Sequence, residues 1–292
     1  MKIYSIGDHC SALGEGPLWD ERTNSILWVD ILNSKVLSLE INTQKILHSI
    51  VGDQISAIAK REQGGYIAAA RDGIGYLDLE NNNFKYLAEL EKELTFNRFN
   101  DGKCDPLGRF WAGTMNEVDA NCQDGKLYAL TAQNTVKILV SDVGCSNGLA
   151  WSLDHSTLYY IDSICNHVVA FDYDMHLNAI SNKRVVITIP TADGIPDGMT
   201  IDQDGMLWIA CWNGWQVCRY NPIDGNLLAR IELPVSQVSS CAFGGSDYSQ
   251  LYITTASVGL KDKDLAKQPL AGSLFVVDAC GTKGFASVSF KG

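Results

Sequence analysis

The sequence repeats one strand pattern six times, and this repeat constrains the fold more than any other feature. Each copy has an entry turn, a short apolar strand, a polar turn rich in Asp and Gly, and a second strand that carries aromatic residues. Further strand-like segments with turn residues follow, so that each unit holds about four short strands. The six copies begin at Gly14, Ile55, Phe99, Ser146, Pro196 and Ser239.

Repeats of roughly 40 to 50 residues with four strands each are typical of propeller blades. Helical spacing is absent from nearly the whole chain. The sequence therefore predicts an all-β fold, a six-bladed β-propeller with four-stranded antiparallel blades, as a single domain over residues 1–292. Ring closure requires the two chain ends to share a blade, so either MKIYSI at the start or FASVSF near the end supplies the outermost strand of blade six.

The repeat register predicts which side chains meet on the propeller axis, because the first strand of each blade lines the central channel. Two carboxylates and two amides share this ring. Unpaired carboxylates in a narrow channel repel each other and resist desolvation. The two carboxylates therefore need protonation, hydrogen bonds or a bound cation. The equivalent positions are Glu15, Ile55 or Ser56, Asn100, Asn147, Asp197, and Ser239 or Ser240.

A divalent metal is the simplest solution, with oxygen ligands from Glu15, Asn147 and Asp197. An all-oxygen set suits Ca²⁺, Mg²⁺ or Mn²⁺ and does not by itself exclude Zn²⁺ or Fe²⁺. Three protein ligands leave coordination positions for water or substrate, as in a catalytic site.

Composition and charge exclude several classes of partner. The formal net charge is -11 and no Lys/Arg-rich block is present, which argues against nucleic acid. No apolar run reaches the roughly 20 residues of a membrane span, and MKIYSIGDHC does not resemble a signal peptide. The nine cysteines are scattered without a C-x-x-C pair, as is typical of reduced thiols. We therefore expect a cytoplasmic protein with no membrane association and no obligate protein partner.

Several phrases, in order and over essentially the full length, resemble the family of senescence marker protein (regucalcin), gluconolactonase and luciferin-regenerating enzyme. These phrases are LGEGPLWD (13–20), NRFNDGKCDPLGRFWAGTM (97–115), SNGLAWSLD (146–154), YYIDS (159–163), PDGMTIDQDGMLWIACW (196–212), SSCAFGG (239–245) and PLAGSLF (269–275). The resemblance implies a six-bladed propeller with one divalent metal in its channel, and hydrolysis of sugar-acid lactones.

The resemblance also implies roles for individual residues. Glu15, Asn147 and Asp197 would be the metal ligands, and Arg98 and Asn100 would hold the substrate. The family often carries a carboxylate after GTM, for which Glu117 is the candidate here. Either Asp197, which we favour, or Glu15 would accept the proton of the attacking water.

The sequence thus predicts a metal-dependent lactonase for a small sugar lactone such as glucono-, xylono- or arabinonolactone. The alternatives are a non-catalytic cation-binding regulatory propeller, or a hydrolase of other esters or organophosphates. An acyl-enzyme serine mechanism has no support, because no Gly-x-Ser-x-Gly motif occurs.

Other features have structural interpretations. Asp101 is expected to cap a turn at NDG, and residues 256–272 to form a short helix or a loop over one mouth of the channel. Inter-blade packing is expected for the tryptophans that recur at blade positions, namely Trp19, Trp28, Trp111, Trp151 and Trp208.

Overall fold

The computed structural model describes residues 2–292 and contains six antiparallel four-stranded sheets, as predicted. In each of the first five blades the strands follow one another in chain order, so neighbouring strands are joined by short turns. The strands are β1 (Lys2–Ile6), β2 (Gly14–Asp20), β3 (Ser25–Asp30), β4 (Lys35–Glu40), β5 (Lys45–Ile50), β6 (Ala57–Lys60), β7 (Tyr66–Ala70), β8 (Gly73–Asp78), β9 (Asn83–Glu89), β10 (Asn97–Cys104), β11 (Phe110–Asn116), β12 (Gly125–Leu130), β13 (Val136–Val143), β14 (Ser146–Trp151), β15 (Thr157–Asp162), β16 (His167–Asp174), β17 (Ala179–Thr188), β18 (Ile195–Ile201), β19 (Leu207–Trp212), β20 (Gln216–Tyr220), β21 (Leu227–Glu232), β22 (Val238–Gly244), β23 (Gln250–Thr255) and β24 (Leu274–Asp278).

Blade six combines the two ends of the chain in the order β22-β23-β24-β1. β1 pairs antiparallel with β24, from Lys2 opposite Asp278 to Ile6 opposite Leu274. Of the two candidate segments, MKIYSI therefore closes the ring. Because both ends of the chain share one sheet, the ring cannot open without breaking the hydrogen bonds between β1 and β24.

The FASVSF segment instead crosses the end of the channel where the innermost strands finish. The backbone amide of Gln203 in blade five donates to the Lys283 carbonyl at 2.8 Å. The backbone amide of Phe290 donates to the Lys60 carbonyl in blade two at 2.7 Å. The Phe290 ring is fully buried in the cluster between blades two and three. The C-terminal tail, residues 283–292, thus joins opposite parts of the ring.

Six hydrophobic clusters hold the blades together, one between each pair of neighbours. Trp111 of blade three meets Trp151 of blade four edge to face, with ring centroids 5.3 Å apart. Trp208 of blade five meets Phe243 of blade six in the same way at 5.9 Å. Aromatic pairs favour this geometry, and the predicted inter-blade packing of the recurring tryptophans is what the structure shows.

A buried aspartate organises the turn after the innermost strand in three of the blades. Asp202, at the end of blade five's inner strand, accepts from Trp208 Nε1 at 2.8 Å and from Arg219 Nε at 2.7 Å, and also from backbone amides of its own turn. Asp20 and Asp105 are likewise fully buried and bonded to an arginine. These bonds compensate the burial of a charge and explain the Asp-rich turns of the repeat.

Residues 256–272 connect β23 to β24 and contain a one-turn helix, α1 (Asp262–Leu265). The segment is anchored at both ends, because the Val258 amide donates to the Ala12 carbonyl at 3.0 Å and Gln268 Oε1 accepts from the Ser236 amide at 2.7 Å. It therefore lies at the end of the channel where the innermost strands begin. Within residues 2–292, every helix is too short or too polar to span a lipid bilayer.

Candidate active site

The innermost strands share an irregularity that brings the candidate residues to one height in the channel. Their pairing register shifts once, in the first half of the strand, in five of the six blades, whereas β6 pairs with β7 regularly. A β-bulge of this kind bends the strand and redirects the side chains beside it. The shifts fall between Glu15 and Leu18, Phe99 and Gly102, Asn147 and Leu149, Pro196 and Met199, and Val238 and Ser240.

The two predicted carboxylates, Glu15 and Asp197, are both buried and close enough to interact. Burial is the main cause that raises the pKa of Glu15 to about 8, and the charge of Asp101 adds to it. Burial also raises the pKa of Asp197 well above its ordinary value, with further contributions from Glu15 and Asp101. Among residues 2–292, neither side chain has a lysine, arginine or histidine nitrogen within ion-pair distance. Their negative charge is therefore poorly compensated.

A chain of hydrogen bonds connects the other predicted residues across blades three and four. Arg98 Nη1 donates to Asn100 Oδ1 at 2.8 Å, and Asn100 Nδ2 donates to the Ser146 carbonyl at 2.9 Å and to Asn147 Oδ1 at 3.2 Å. On its other side, Asn147 Nδ2 donates to Ser163 Oγ at 2.8 Å. Arg98, Asn100 and Asn147 are all more than nine-tenths buried. Arg98 is therefore part of a buried hydrogen-bond network at the channel wall.

Glu117 lies at the rim of the same site, in the connection after β11. Its carboxylate forms an ion pair with Arg71 and lies 3.9 Å from Arg98 Nε. The hydrogen bond from Arg71 is the main cause that lowers the pKa of Glu117. Arg71 itself also donates to Gln54 Oε1 at 2.8 Å. The sequence analysis had not singled out Arg71, whose partner is 46 positions away along the chain.

Asp101 belongs to the channel, so its assignment to a simple turn cap is incomplete. The side chain does accept from the Gly102 amide at 2.7 Å, but it lies within β10 and its charge raises the pKa of both Glu15 and Asp197. Strict strand alternation would send Asn100 and Asp101 to opposite faces. The bulge between Phe99 and Gly102 brings both toward the site.

Beyond the site, the channel widens into a cavity of about 630 Å³. Its walls come from later positions of the innermost strands, such as Leu18, Lys103 and Met199, and residues 285–288 of the C-terminal tail complete its lining. Lys103 Nζ spans the channel here and donates to the carbonyls of Leu149 at 2.9 Å and Met199 at 2.7 Å. The carboxylates thus lie at the opposite end of the channel from the tail.

The residues present fit a divalent cation. Two buried carboxylates repel each other, and the amide oxygen of Asn147 is turned away from Ser163, which receives its NH₂ group. Such hard oxygen donors match the preference of divalent ions. Within residues 2–292, no group of three or more His, Cys, Asp and Glu side chains is arranged to hold a metal. A three-ligand site at this mouth therefore depends on the Asn147 amide.

Fold and site together define the class of this protein: a six-bladed β-propeller with buried oxygen-bearing side chains gathered at one mouth of its channel. Within that class, residues 13–257 match the model of the SMP-30/gluconolactonase/LRE-like region. The chain belongs to this family, which confirms the resemblance seen in its sequence.

Individual relatives match over nearly the whole chain. Human regucalcin is 42% identical over 296 residues, which cover 100% of this chain and 99% of the relative. Among solved structures, a luciferin-regenerating enzyme superposes with a TM-score of 0.91 at 33% identity, covering 99% of both chains. A calcium-binding protein, regucalcin, from Agrobacterium tumefaciens superposes with a TM-score of 0.92 at 30% identity, covering 98% of this chain and 96% of the other.

Proposed function

We propose that this protein is a metal-dependent lactonase that hydrolyses sugar-acid lactones, such as glucono-, xylono- or arabinonolactone, to the free acids. Membership of a gluconolactonase-like family supports a lactonase-type activity. The observation that carries the proposal is the pair of buried carboxylates, Glu15 and Asp197, beside the buried guanidinium of Arg98. Such a combination offers a cation site and a substrate donor at the same mouth of the channel.

Glu15, Asn147 and Asp197 would hold the metal. A bound divalent ion would polarise the lactone carbonyl and lower the pKa of the attacking water. The ion would be Ca²⁺, Mg²⁺, Mn²⁺, Zn²⁺ or Fe²⁺, and the oxygen donors favour the first three. Calcium has additional support from the relative described as a calcium-binding regucalcin.

The proton of the attacking water would pass to a carboxylate oxygen of Asp197, with Glu15 as the second candidate. Arg98 favours the ionised form of Asp197, which a proton acceptor requires, because its positive charge lowers the pKa that burial and Glu15 raise. A cation held by these residues would act in the same direction. Both positive charges would favour the ionised form that a proton acceptor requires.

Arg98, Asn100 and Glu117 would bind the sugar. Arg98 offers a planar set of N–H donors, and Asn100 already uses its amide to orient that guanidinium through the 2.8 Å contact with Nη1. Glu117 adds acceptor oxygens at the rim, with its ionised form favoured by Arg71. Donors and acceptors side by side on blade three suit a ligand with several hydroxyl groups.

A second candidate function is cation binding without catalysis, in a regulatory role. The relatives favour this function. They include regucalcins from several vertebrates and a solved structure described as a calcium-binding protein, regucalcin. A pure cation site would need Glu15, Asn147 and Asp197 but not the buried Arg98 and Asn100 beside them. We place the lactonase first for this reason.

We also propose that the protein works in a reducing compartment such as the cytoplasm, in carbohydrate metabolism. All nine cysteines are free thiols, and four of them are buried among apolar residues, where they act as small core side chains.

The deciding experiment measures acid release from several aldonolactones at near-neutral pH, with chelator-treated protein and after addition of each candidate metal. We expect hydrolysis above the spontaneous rate that disappears with chelator and returns with metal. Cation binding without excess hydrolysis on any lactone would favour the regulatory function instead. Hydrolysis that persists in chelator would remove the metal from the mechanism.

A further inference from the structure

One hydroxyl group decides how the Asn147 amide faces the channel. Ser163 Oγ lies 2.6 Å from the Pro196 carbonyl oxygen and 2.8 Å from Asn147 Nδ2, and all three groups are buried. A carbonyl can only accept, so the single hydroxyl hydrogen of Ser163 must point to Pro196. The Ser163 oxygen can then only accept from Asn147, which must present its NH₂ group to Ser163 and its oxygen to the channel.

The opposite end of the hydrogen-bond chain enforces the same direction. Arg98 can only donate, so Asn100 must turn its oxygen toward Arg98 and its NH₂ group toward Asn147 Oδ1. A flipped Asn147 amide would place its oxygen against the Ser163 oxygen and its NH₂ against the NH₂ of Asn100. Both bonds would be lost, and a buried polar group left without a partner costs about 1 to 3 kcal/mol.

We infer that Ser163 is a positioning residue that fixes the Asn147 oxygen toward the divalent cation and ties this ligand to the backbone beside Asp197. Ser163 begins a short 3-10 helix, Ser163–Cys165, after β15 in blade four, and Pro196 precedes Asp197 in blade five. One hydroxyl therefore links the Asn147 amide in blade four to the backbone next to Asp197 in blade five. The inference rests on the metal site of the proposed function.

The test is the affinity for Ca²⁺ and Mn²⁺, measured by titration calorimetry on chelator-treated protein. Ser163→Ala is expected to raise Kd by about 10-fold or more, the range seen when partners that orient a metal ligand are removed. Ser56→Ala is the matched control, because Ser56 is also buried beside the start of an innermost strand but bonds only to the Ala69 carbonyl, at 3.4 Å. This control is expected to keep the wild-type Kd, and thermal unfolding establishes that each variant is folded.

A double-mutant cycle separates orientation from general damage. In Asn147→Asp the two ends of the side chain are both oxygens, so orientation no longer matters and a further Ser163→Ala is expected to leave Kd nearly unchanged. An equal loss of affinity in both backgrounds, or no loss in Ser163→Ala alone, would overturn the inference. Wild-type protein that binds neither ion would overturn it as well.

The outcome is independent of the lactone assay. If Ser163→Ala weakens metal binding but no lactone is hydrolysed, the inference stands and the lactonase proposal fails. If lactones are hydrolysed with metal and Ser163→Ala binds metal like the wild type, the proposed function stands and the inference fails.

Discussion

Asn100 Nδ2 lies 3.2 Å from Asn147 Oδ1, so an amide of blade three donates to an amide of blade four across the channel wall. The two residues are 47 positions apart in the chain. Their contact places Arg98, which is bonded to Asn100, and the proposed metal ligand Asn147 in a single network. Changes at either end are therefore expected to affect substrate and metal together.

Replacement of Asp197 by Asn tests the proposed proton acceptor. The change removes both the base and one charge of the metal site, so kcat is expected to fall by about 10² to 10⁴-fold. The matched control is Asp193→Asn, since Asp193 lies just before β18, the strand that carries Asp197, but forms a rim ion pair with Arg230 at 2.6 Å. Steady-state kinetics on the best lactone measures both. Full activity in Asp197→Asn would exclude this residue as the acceptor.

Replacement of Arg98 by Lys tests the substrate contact while keeping the charge. Lysine cannot reproduce the planar donor set that reaches Asn100 Oδ1 and the Phe99 carbonyl. We expect kcat/KM to fall roughly 10- to 100-fold, the loss of one to two buried hydrogen bonds to a charged group. Arg184→Lys, in the exposed pair with Asp172, is expected to change nothing. Equal kinetics for both variants would contradict the assignment.

The stability of the chelator-treated protein is expected to fall as pH rises from 5 to 8. The fold raises the pKa of Glu15 from 4.5 to about 8 through burial. Between pH 5 and 8 the folded state therefore binds more protons than the unfolded chain. The stability that this proton binding contributes is lost as the pH rises through the pKa of Glu15 in the folded state. Thermal unfolding across pH measures the effect. Divalent cation, or Glu15→Gln, should flatten the curve, and a Tm that rises with pH would refute the prediction.

Arg71→Gln is expected to move the acid limb of the kcat/KM profile to higher pH. Arg71 is the main cause of the low pKa of Glu117, so its loss raises that pKa. If ionised Glu117 accepts from the sugar, more alkaline solution is then needed for the same binding. Rate measurements between pH 4 and 8 test this. If the acid limb of the kcat/KM profile does not shift, Glu117 takes no part in substrate binding.

Phe290 and Phe285 make a matched pair for the C-terminal tail. Phe290 is fully buried between blades two and three, whereas Phe285 is 48% exposed. Phe290→Ala is expected to lower the free energy of unfolding by about 3 to 5 kcal/mol, and Phe285→Ala by much less. Denaturant unfolding measures both. Similar values for the two variants would show that the tail does not anchor the ring.

The sequence by itself determined the six blades, their strand count and the ring of Glu15, Asn100, Asn147 and Asp197, because strand alternation and Asp/Gly turns are local and repeat in register. Tertiary structure decided what depends on distant partners. It selected MKIYSI over FASVSF as the closing strand, paired Arg71 with Glu117, and placed Ser163 against Asn147. It also directed the Asp101 side chain toward the channel. A bulge breaks the two-residue alternation from which the faces of a strand are predicted. Such contacts form only when distant parts of the chain meet in the closed ring, so the local sequence pattern does not predict them.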